Sequence, residues 1–88
     1  MMNEKFALAF QRLSAYDFKQ WSTFKGVDVN VKMDDVKYTI EVIDSVNNTR
    51  EIEYFYYGTM SDSYLGNNVP DGTIYDVIRL FLNILAKL

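Results

Sequence analysis

Residues 27–44 read VDVNVKMDDVKYTIEVID, and their hydrophobic pattern decides the fold. An apolar side chain recurs at every second position in each half: Val27, Val29, Val31 and Met33 in the first half, and Tyr38, Ile40 and Val42 in the second. Alternation with a period of two is typical of a β-strand with one buried face. We therefore predict strands at residues 27–33 and 37–44.

The two predicted strands are joined by a short acidic turn. Asp34 and Asp35 lie between them, and a loop of these two residues places Val29 opposite Ile40. The other facing pairs on that side are also apolar, so the turn length and the hydrophobic pattern agree. The sequence predicts an antiparallel hairpin.

A third strand is predicted at residues 51–58, EIEYFYYG, which contain four consecutive aromatic rings. Asn47 and Asn48 precede it and mark a turn, because Asn tolerates the left-handed backbone that hairpin loops need. Successive side chains of a strand alternate between its two faces, so the four rings cannot all enter one core.

The length of this second turn decides which rings face outward. A two-residue loop points Tyr54 and Tyr56 away from the core, whereas a three-residue loop points Phe55 and Tyr57 away. We favour the three-residue loop, because it keeps the glutamates of the strand off the core and burial of an unpaired carboxylate is costly. Either choice leaves two neighbouring rings on the outer face.

Helices are predicted at both ends of the chain. Residues 3–24 carry one apolar stripe at helical spacing, interrupted by Asp17. Either the helix is continuous, or Asp17 and Gln20 form a capping box that starts a second short helix. Gly26 is the expected C-cap.

The C-terminal region consists of a long loop, residues 58–72, and a helix over residues 74–88. A loop of this length in a small domain is often functional, and it is a candidate ligand-binding segment. Thr73 and Asp76 are spaced like a capping pair. Apolar residues cover most of the helix circumference, so besides the sheet the helix needs the first helix, a second subunit or a partner to bury them, and we expect a homodimer.

Together these elements predict an α+β fold: a three-stranded antiparallel meander with the N- and C-terminal helices (α-β-β-β-α) packed on one face, in a single domain over residues 1–88. The other face of the sheet is then open. We predict that it binds a protein partner, since aromatic residues are enriched at interface hot spots and neighbouring acids would set the partner's charge. The candidate protein-binding residues are Phe55, Tyr57, Glu41, Glu53, Ile43 and Thr39.

The composition limits the chemistry. The 88 residues include no Cys and no His, so thiolate chemistry, disulfides and the commonest metal ligand are excluded. The candidate carboxylate pairs, Glu41 with Glu53 and Asp34 with Asp35, lack any sign of the pocket that would raise a pKa. We expect no enzyme, no cofactor and no metal site.

The sequence shows no signal peptide or membrane span, so a cytoplasmic protein is expected. A formal charge of −3 makes nucleic acid an unlikely partner.

The order α-β-β-β-α resembles that of the double-stranded-RNA-binding domain over most of the chain. That family has a Lys-rich cluster at the start of its last helix, whereas residues 71–76 here read DGTIYD, which would repel phosphate. Size, acidity and element order are also similar to those of small phage-encoded inhibitors of host defence, including some anti-CRISPR proteins. We therefore expect a non-enzymatic inhibitor of a bacterial host protein, and the alternatives are a small-ligand-sequestering protein and an RNA-binding module.

Overall fold

The computed structural model describes residues 4–56 and 69–88. It contains helices α1 (Glu4–Ser14) and α2 (Lys19–Lys25), strands β1 (Val27–Met33), β2 (Lys37–Asp44) and β3 (Thr49–Tyr56), and helix α3 (Thr73–Ala86). The strands form one antiparallel sheet in the order β1-β2-β3, which confirms the predicted α+β meander. No helix within the described ranges is long and apolar enough to cross a membrane.

The core lies between the sheet and the two longer helices, and it contains a cluster of five aromatic rings. Phe10 of α1 stacks on Tyr38 of β2 with ring centroids 4.4 Å apart, and Phe81 of α3 lies 4.7 Å from Phe10. Residues of α1, α3 and one sheet face make up the buried cluster: Phe6, Ala9, Phe10, Leu13, Val27, Tyr38, Ile40, Val42, Phe55, Ile74, Val77, Ile78 and Phe81. Both helices therefore cover the same face of the sheet.

The N-terminal helical region is broken, as one of the two alternatives predicted. The Oδ1 atom of Asp17 accepts the amide of Lys19 at 2.9 Å, but the N-cap residue of α2 is Phe18, and the predicted Asp17/Gln20 capping box does not form. Gly26 is the C-cap in the left-handed conformation, with φ of 65°, as predicted.

The β1/β2 register differs from the prediction by two residues. Val29 lies opposite Val42, and Val31 lies opposite Ile40. The turn is centred one residue later than predicted, on Asp35 and Val36, because the amide of Asp34 bonds to the Lys37 carbonyl and the Oδ1 atom of Asp34 accepts the amides of both Val36 and Lys37. A shift by two residues preserves the side-chain alternation, so every predicted face is retained.

The favoured β2/β3 register is wrong, and the error reverses the faces of β3. Tyr38 lies opposite Phe55, and residues 45–48 form a four-residue connection. Asp44 sets this length, since its Oδ1 atom accepts the amides of both Val46 and Asn47 at 3.0 Å. The left-handed residue of the turn is Asn48, with φ of 52°.

The reason for preferring the other register also fails. In the observed register Glu51 and Glu53 lie on the helix side of the sheet, but β3 is an edge strand and neither residue is buried. Their carboxylates therefore avoid the desolvation cost that full burial would impose. Phe55 gains the core position, where it is only 3 % exposed.

Helix α3 begins one residue earlier than predicted, and its predicted capping pair is wrong. The N-cap is Gly72, which makes Thr73 the first helical residue, and Asp76 pairs instead with Arg79 at 3.0 Å. The large apolar residues that surround α3 are all buried or partly buried, because α1 and the sheet cover more of the helix than one sheet face could. The apolar circumference of α3 therefore does not by itself require a second subunit.

Candidate functional site: the open face of the sheet

The sheet face opposite the helices carries two exposed tyrosines at its edge. Tyr54 and Tyr56 of β3 are 49 % and 55 % exposed, and Ile43 of β2, which lies on the same face opposite Arg50, is 36 % exposed. The register also places Thr39 opposite Tyr54 and Lys37 opposite Tyr56. Since side chains of one parity share a face, these residues form a continuous surface, which we call the open face.

A hydrogen-bonded network centred on Glu41 occupies the middle of the open face. The Oε1 atom of Glu41 accepts the Asn30 side-chain amide at 3.0 Å, and its Oε2 atom accepts Nε of Arg50 at 2.7 Å. The bonds from Asn30 and then from Arg50 lower the pKa of Glu41. This carboxylate is a fixed structural acceptor, which is the opposite of a general acid with a raised pKa.

Lys37 links the open face to the β1/β2 turn. Its Nζ atom lies 3.3 Å from Oδ2 of Asp34 and 5.7 Å from the centre of the Tyr54 ring. A cation over an aromatic face is attracted by the ring quadrupole. The backbone amides of Val36 and Lys37 lower the pKa of Asp34, so the charged carboxylate of Asp34 also stabilises the turn.

The charges of the open face nearly balance. Its cations are Lys32, Lys37 and Arg50, and its carboxylates are Asp28 and Glu41, which gives a net charge of +1 although the whole chain has −3. The carboxylate excess lies elsewhere. The prediction that Glu41 and Glu53 would make this face acidic is therefore wrong. Glu53 lies on the helix side of the sheet, and the charge of Glu41 is balanced by Arg50.

The structure brings three of the six predicted site residues together on the open face: Thr39, Glu41 and Ile43. Phe55 is a core residue instead, because the observed register turns its ring toward α1 and α3. Tyr57 lies outside the described residues. The rings that the favoured register missed are Tyr54 and Tyr56, which the shorter-loop alternative had placed outward.

A second feature is a cleft of about 530 Å³ beside the free edge of β1. Phe18, Lys19 and Ser22 line it from the α2 side, and Val29 and Val31 line it from β1. It reaches Ile43, so the cleft and the open face are continuous. Sequence reasoning missed this cleft because it arises from the bend between α1 and α2.

The remaining chemistry is sparse within the part of the chain that the structure describes. No group of three or more acidic, His or Cys side chains there could hold a metal ion. The pKa of Asp44 is also lowered, first by the backbone amide of Asn47 and then by its side chain. Every carboxyl with a shifted pKa in residues 4–56 and 69–88 is thus stabilised in its charged form.

The chain matches no known protein family, no curated protein and no solved structure. The open face and the β1 cleft are therefore interpreted from their own geometry.

Proposed function

We propose that this chain is a non-enzymatic protein-binding module that docks another protein on its open face. The observation that carries the proposal is the exposure of Tyr54 and Tyr56 side by side on a sheet face that α1 and α3 do not cover. Tyr combines a large apolar ring with a polar hydroxyl, which is why it is enriched at protein interfaces.

The electrostatics of the open face favour a protein over a nucleic acid. Arg50 is held by Glu41, and Lys37 lies 3.3 Å from Asp34, so two of the three cations already have carboxylate partners. Phosphate-backbone binding depends on several Lys and Arg side chains that neutralise phosphates and release counterions. A nearly neutral surface with paired charges offers phosphates little net attraction, whereas polar surfaces with exposed Tyr side chains are common at protein interfaces.

The proposed docking area is the face of the sheet, rather than the edge of β3. Edge strands resist the addition of another strand when charged residues point toward the protein interior. Glu51 and Glu53 of β3 have this orientation. A partner that contacts Tyr54 and Tyr56 should therefore lie across their rings and should not add a strand to β3.

The direct test compares two double variants in capture experiments from a bacterial lysate. Tyr54→Ser/Tyr56→Ser removes the exposed rings of the open face. Phe24→Ser/Val46→Ser is the matched control, since it removes two apolar side chains that are 82 % and 74 % exposed outside that face. Circular dichroism and thermal unfolding check that both variants fold.

The proposal predicts proteins that the wild type and the control variant capture but the Tyr54→Ser/Tyr56→Ser variant does not. Sedimentation of the purified chain separately tests for a second copy as the occupant. Equal capture by all three chains would contradict docking through the open face, as would a loss confined to the control variant.

A phage or mobile-element origin and a host-defence target follow from size, acidity and element order alone, and they stay predictions. The same holds for the homodimer, for the small-ligand-sequestering alternative and for the RNA-binding alternative. Protein docking has the specific support of Tyr54 and Tyr56.

A further inference from the structure

We propose that the free edge of β1 binds an extended peptide segment of a partner protein as a fourth strand of the sheet. This surface differs from the open face, and the inference does not depend on docking there. Three features carry it: the unpaired backbone groups of β1, the cleft beside them, and the apolar side chains that flank them.

The hydrogen bonds at the two ends of the hairpin show which backbone groups of β1 are free. The amide of Ser45 donates to the Gly26 carbonyl at 3.0 Å, and the amide of Asp34 donates to the Lys37 carbonyl at 3.1 Å. Both pairs continue the β1/β2 register. Since bonded and non-bonded pairs alternate in an antiparallel ladder, the even-numbered residues of β1 bond to β2.

The odd-numbered residues consequently direct their backbone N–H and C=O groups away from β2. For Val29 and Val31 these groups point to the side where the cleft lies. Among the described residues, none outside the sheet forms a backbone hydrogen bond with either of them. A row of free donors and acceptors with a period of two is what an added β-strand recognises.

The cleft provides the space for such a strand. Its volume of about 530 Å³ is in the range of pockets that hold ligands, and it is bounded by α2 on one side and β1 on the other. Neighbouring strands lie about 4.8 Å apart. A strand in the cleft would extend the sheet and would be covered on one flank by Phe18 and Ser22.

The two edge strands, β1 and β3, differ in the side chains that they carry on the helix side, and this difference favours β1. On the helix side β3 carries Glu51 and Glu53, which oppose strand addition, whereas β1 carries only apolar residues there: Val27, Val29, Val31 and Met33. Lys19 and Asp28 bring one charge of each sign to the cleft. The matching peptide is therefore extended, with apolar residues at alternate positions, and its net charge matters little.

The experiment starts from a random dodecapeptide library displayed on phage and selected on the immobilised full-length chain. An enriched peptide is then synthesised and titrated against the wild type and the variants by calorimetry and amide NMR. Val31→Pro removes a free N–H of β1 without breaking the β2 ladder. Ile52→Pro in β3 is the matched control. The odd-numbered residues of β2 bond to β1, so its even-numbered residues bond to the odd-numbered residues of β3. The N–H of Ile52 therefore points away from β2, and Pro at this position also leaves the ladder intact.

The expected result is enrichment of peptides with apolar residues at every second position. Binding should shift the amide signals of Val29 and Val31, weaken about tenfold or more in Val31→Pro, and stay unchanged in Ile52→Pro. If Val31→Pro does not fold, Ser22→Trp fills the cleft from the exposed side of α2 and should weaken binding to a similar extent.

Several results would overturn the inference. These are the absence of any enriched peptide, equal affinity of the wild type and the cleft variants, and signal changes confined to Tyr54 and Tyr56. In the free chain, slow amide exchange at Val29 and Val31 equal to that of Asn30 and Lys32 would show that the edge is already paired. Sedimentation as a dimer that Val31→Pro dissociates would assign the edge to a second copy.

Discussion

Replacement of either of two adjacent residues of β3 by Ala should have very different effects on stability. Phe55 is 3 % exposed and packs against the rings of α1 and α3, with centroid distances of 5.9 Å to Phe10 and 6.3 Å to Phe81. Its neighbour Tyr54 is 49 % exposed and contacts Lys37 through its ring face. One residue is therefore a core element, and the other is a surface element.

The magnitudes follow from burial. Truncation of a buried Phe to Ala costs about 3–5 kcal/mol, since it removes the transfer free energy of the ring and leaves a cavity. A domain of this length has a total stability of about 4–13 kcal/mol, so Phe55→Ala should remove a large fraction of it. Tyr54→Ala loses partly exposed contacts and a surface cation–π interaction of about 0.5–1 kcal/mol, so we expect a cost of about 1 kcal/mol.

Urea unfolding followed by circular dichroism, together with thermal melts, measures both changes. For a domain of this size, 1 kcal/mol corresponds to about 4–8 °C in Tm, so Phe55→Ala should lower Tm by about 12 °C or more, and Tyr54→Ala by less than about 8 °C. Similar losses of stability in the two variants would contradict the register in which Phe55 faces the core and Tyr54 faces outward. A larger loss for Tyr54→Ala would support the register in which Tyr54 faces the core.

Two further substitutions test the Asp44 turn and the C-cap of α2. Asp44→Asn should lower the free energy of unfolding most at pH values above 3.8, the ordinary pKa of Asp, and the effect should shrink as the pH falls through the lower pKa of the folded chain, because the contribution of Asp44 depends on its charged carboxylate. Gly26→Ala should cost at least about 1–2 kcal/mol, because the residue is left-handed with φ of 65° and its Cβ would lie only 2.6 Å from Cγ2 of Val46.

The sign of the pH effect is fixed by the direction of the pKa shift. The pKa of Asp44 in the folded chain is below its ordinary value of 3.8, so its contribution is present above that value and is lost as the pH falls through the folded pKa. A constant difference between the wild type and Asp44→Asn at all pH values would contradict this account. For Gly26, adding Val46→Ala should relieve the steric contact and recover part of the loss, and no recovery would contradict the contact.

Much of the fold was predictable because the alternating pattern of residues 27–44 is strong. The limits of β1 and β2 and the face of each side chain in them follow from that alternation. The registers were not predictable from the apolar pattern alone. Both hairpins begin at an Asp, Asp34 and Asp44, whose carboxylate accepts the amides two and three residues ahead. The first turn is therefore centred one residue later than the apolar pattern indicates, and the second is longer than the two-residue loop.

The candidate site was harder to predict because one residue of register exchanges the two faces of a strand. The open face itself, with Thr39, Glu41 and Ile43, follows from β2 alone. Whether Tyr54 and Tyr56 or Phe55 and Tyr57 face outward depended on the length of the turn that begins at Asp44. The signal that could have decided it is the Asp side chain at the start of each turn, since Asp favours local hydrogen bonds to the backbone.

The central claim is that the open face is uncovered, and solvent accessibility measured by NMR tests it most directly. A soluble gadolinium chelate broadens the signals of protons that solvent can approach. We predict strong broadening of the ring signals of Tyr54 and Tyr56 and little broadening of those of Phe55 and Tyr38, which are buried. Protection of Tyr54 and Tyr56 equal to that of Phe55 in the isolated chain would show a covered face and contradict the proposed docking surface.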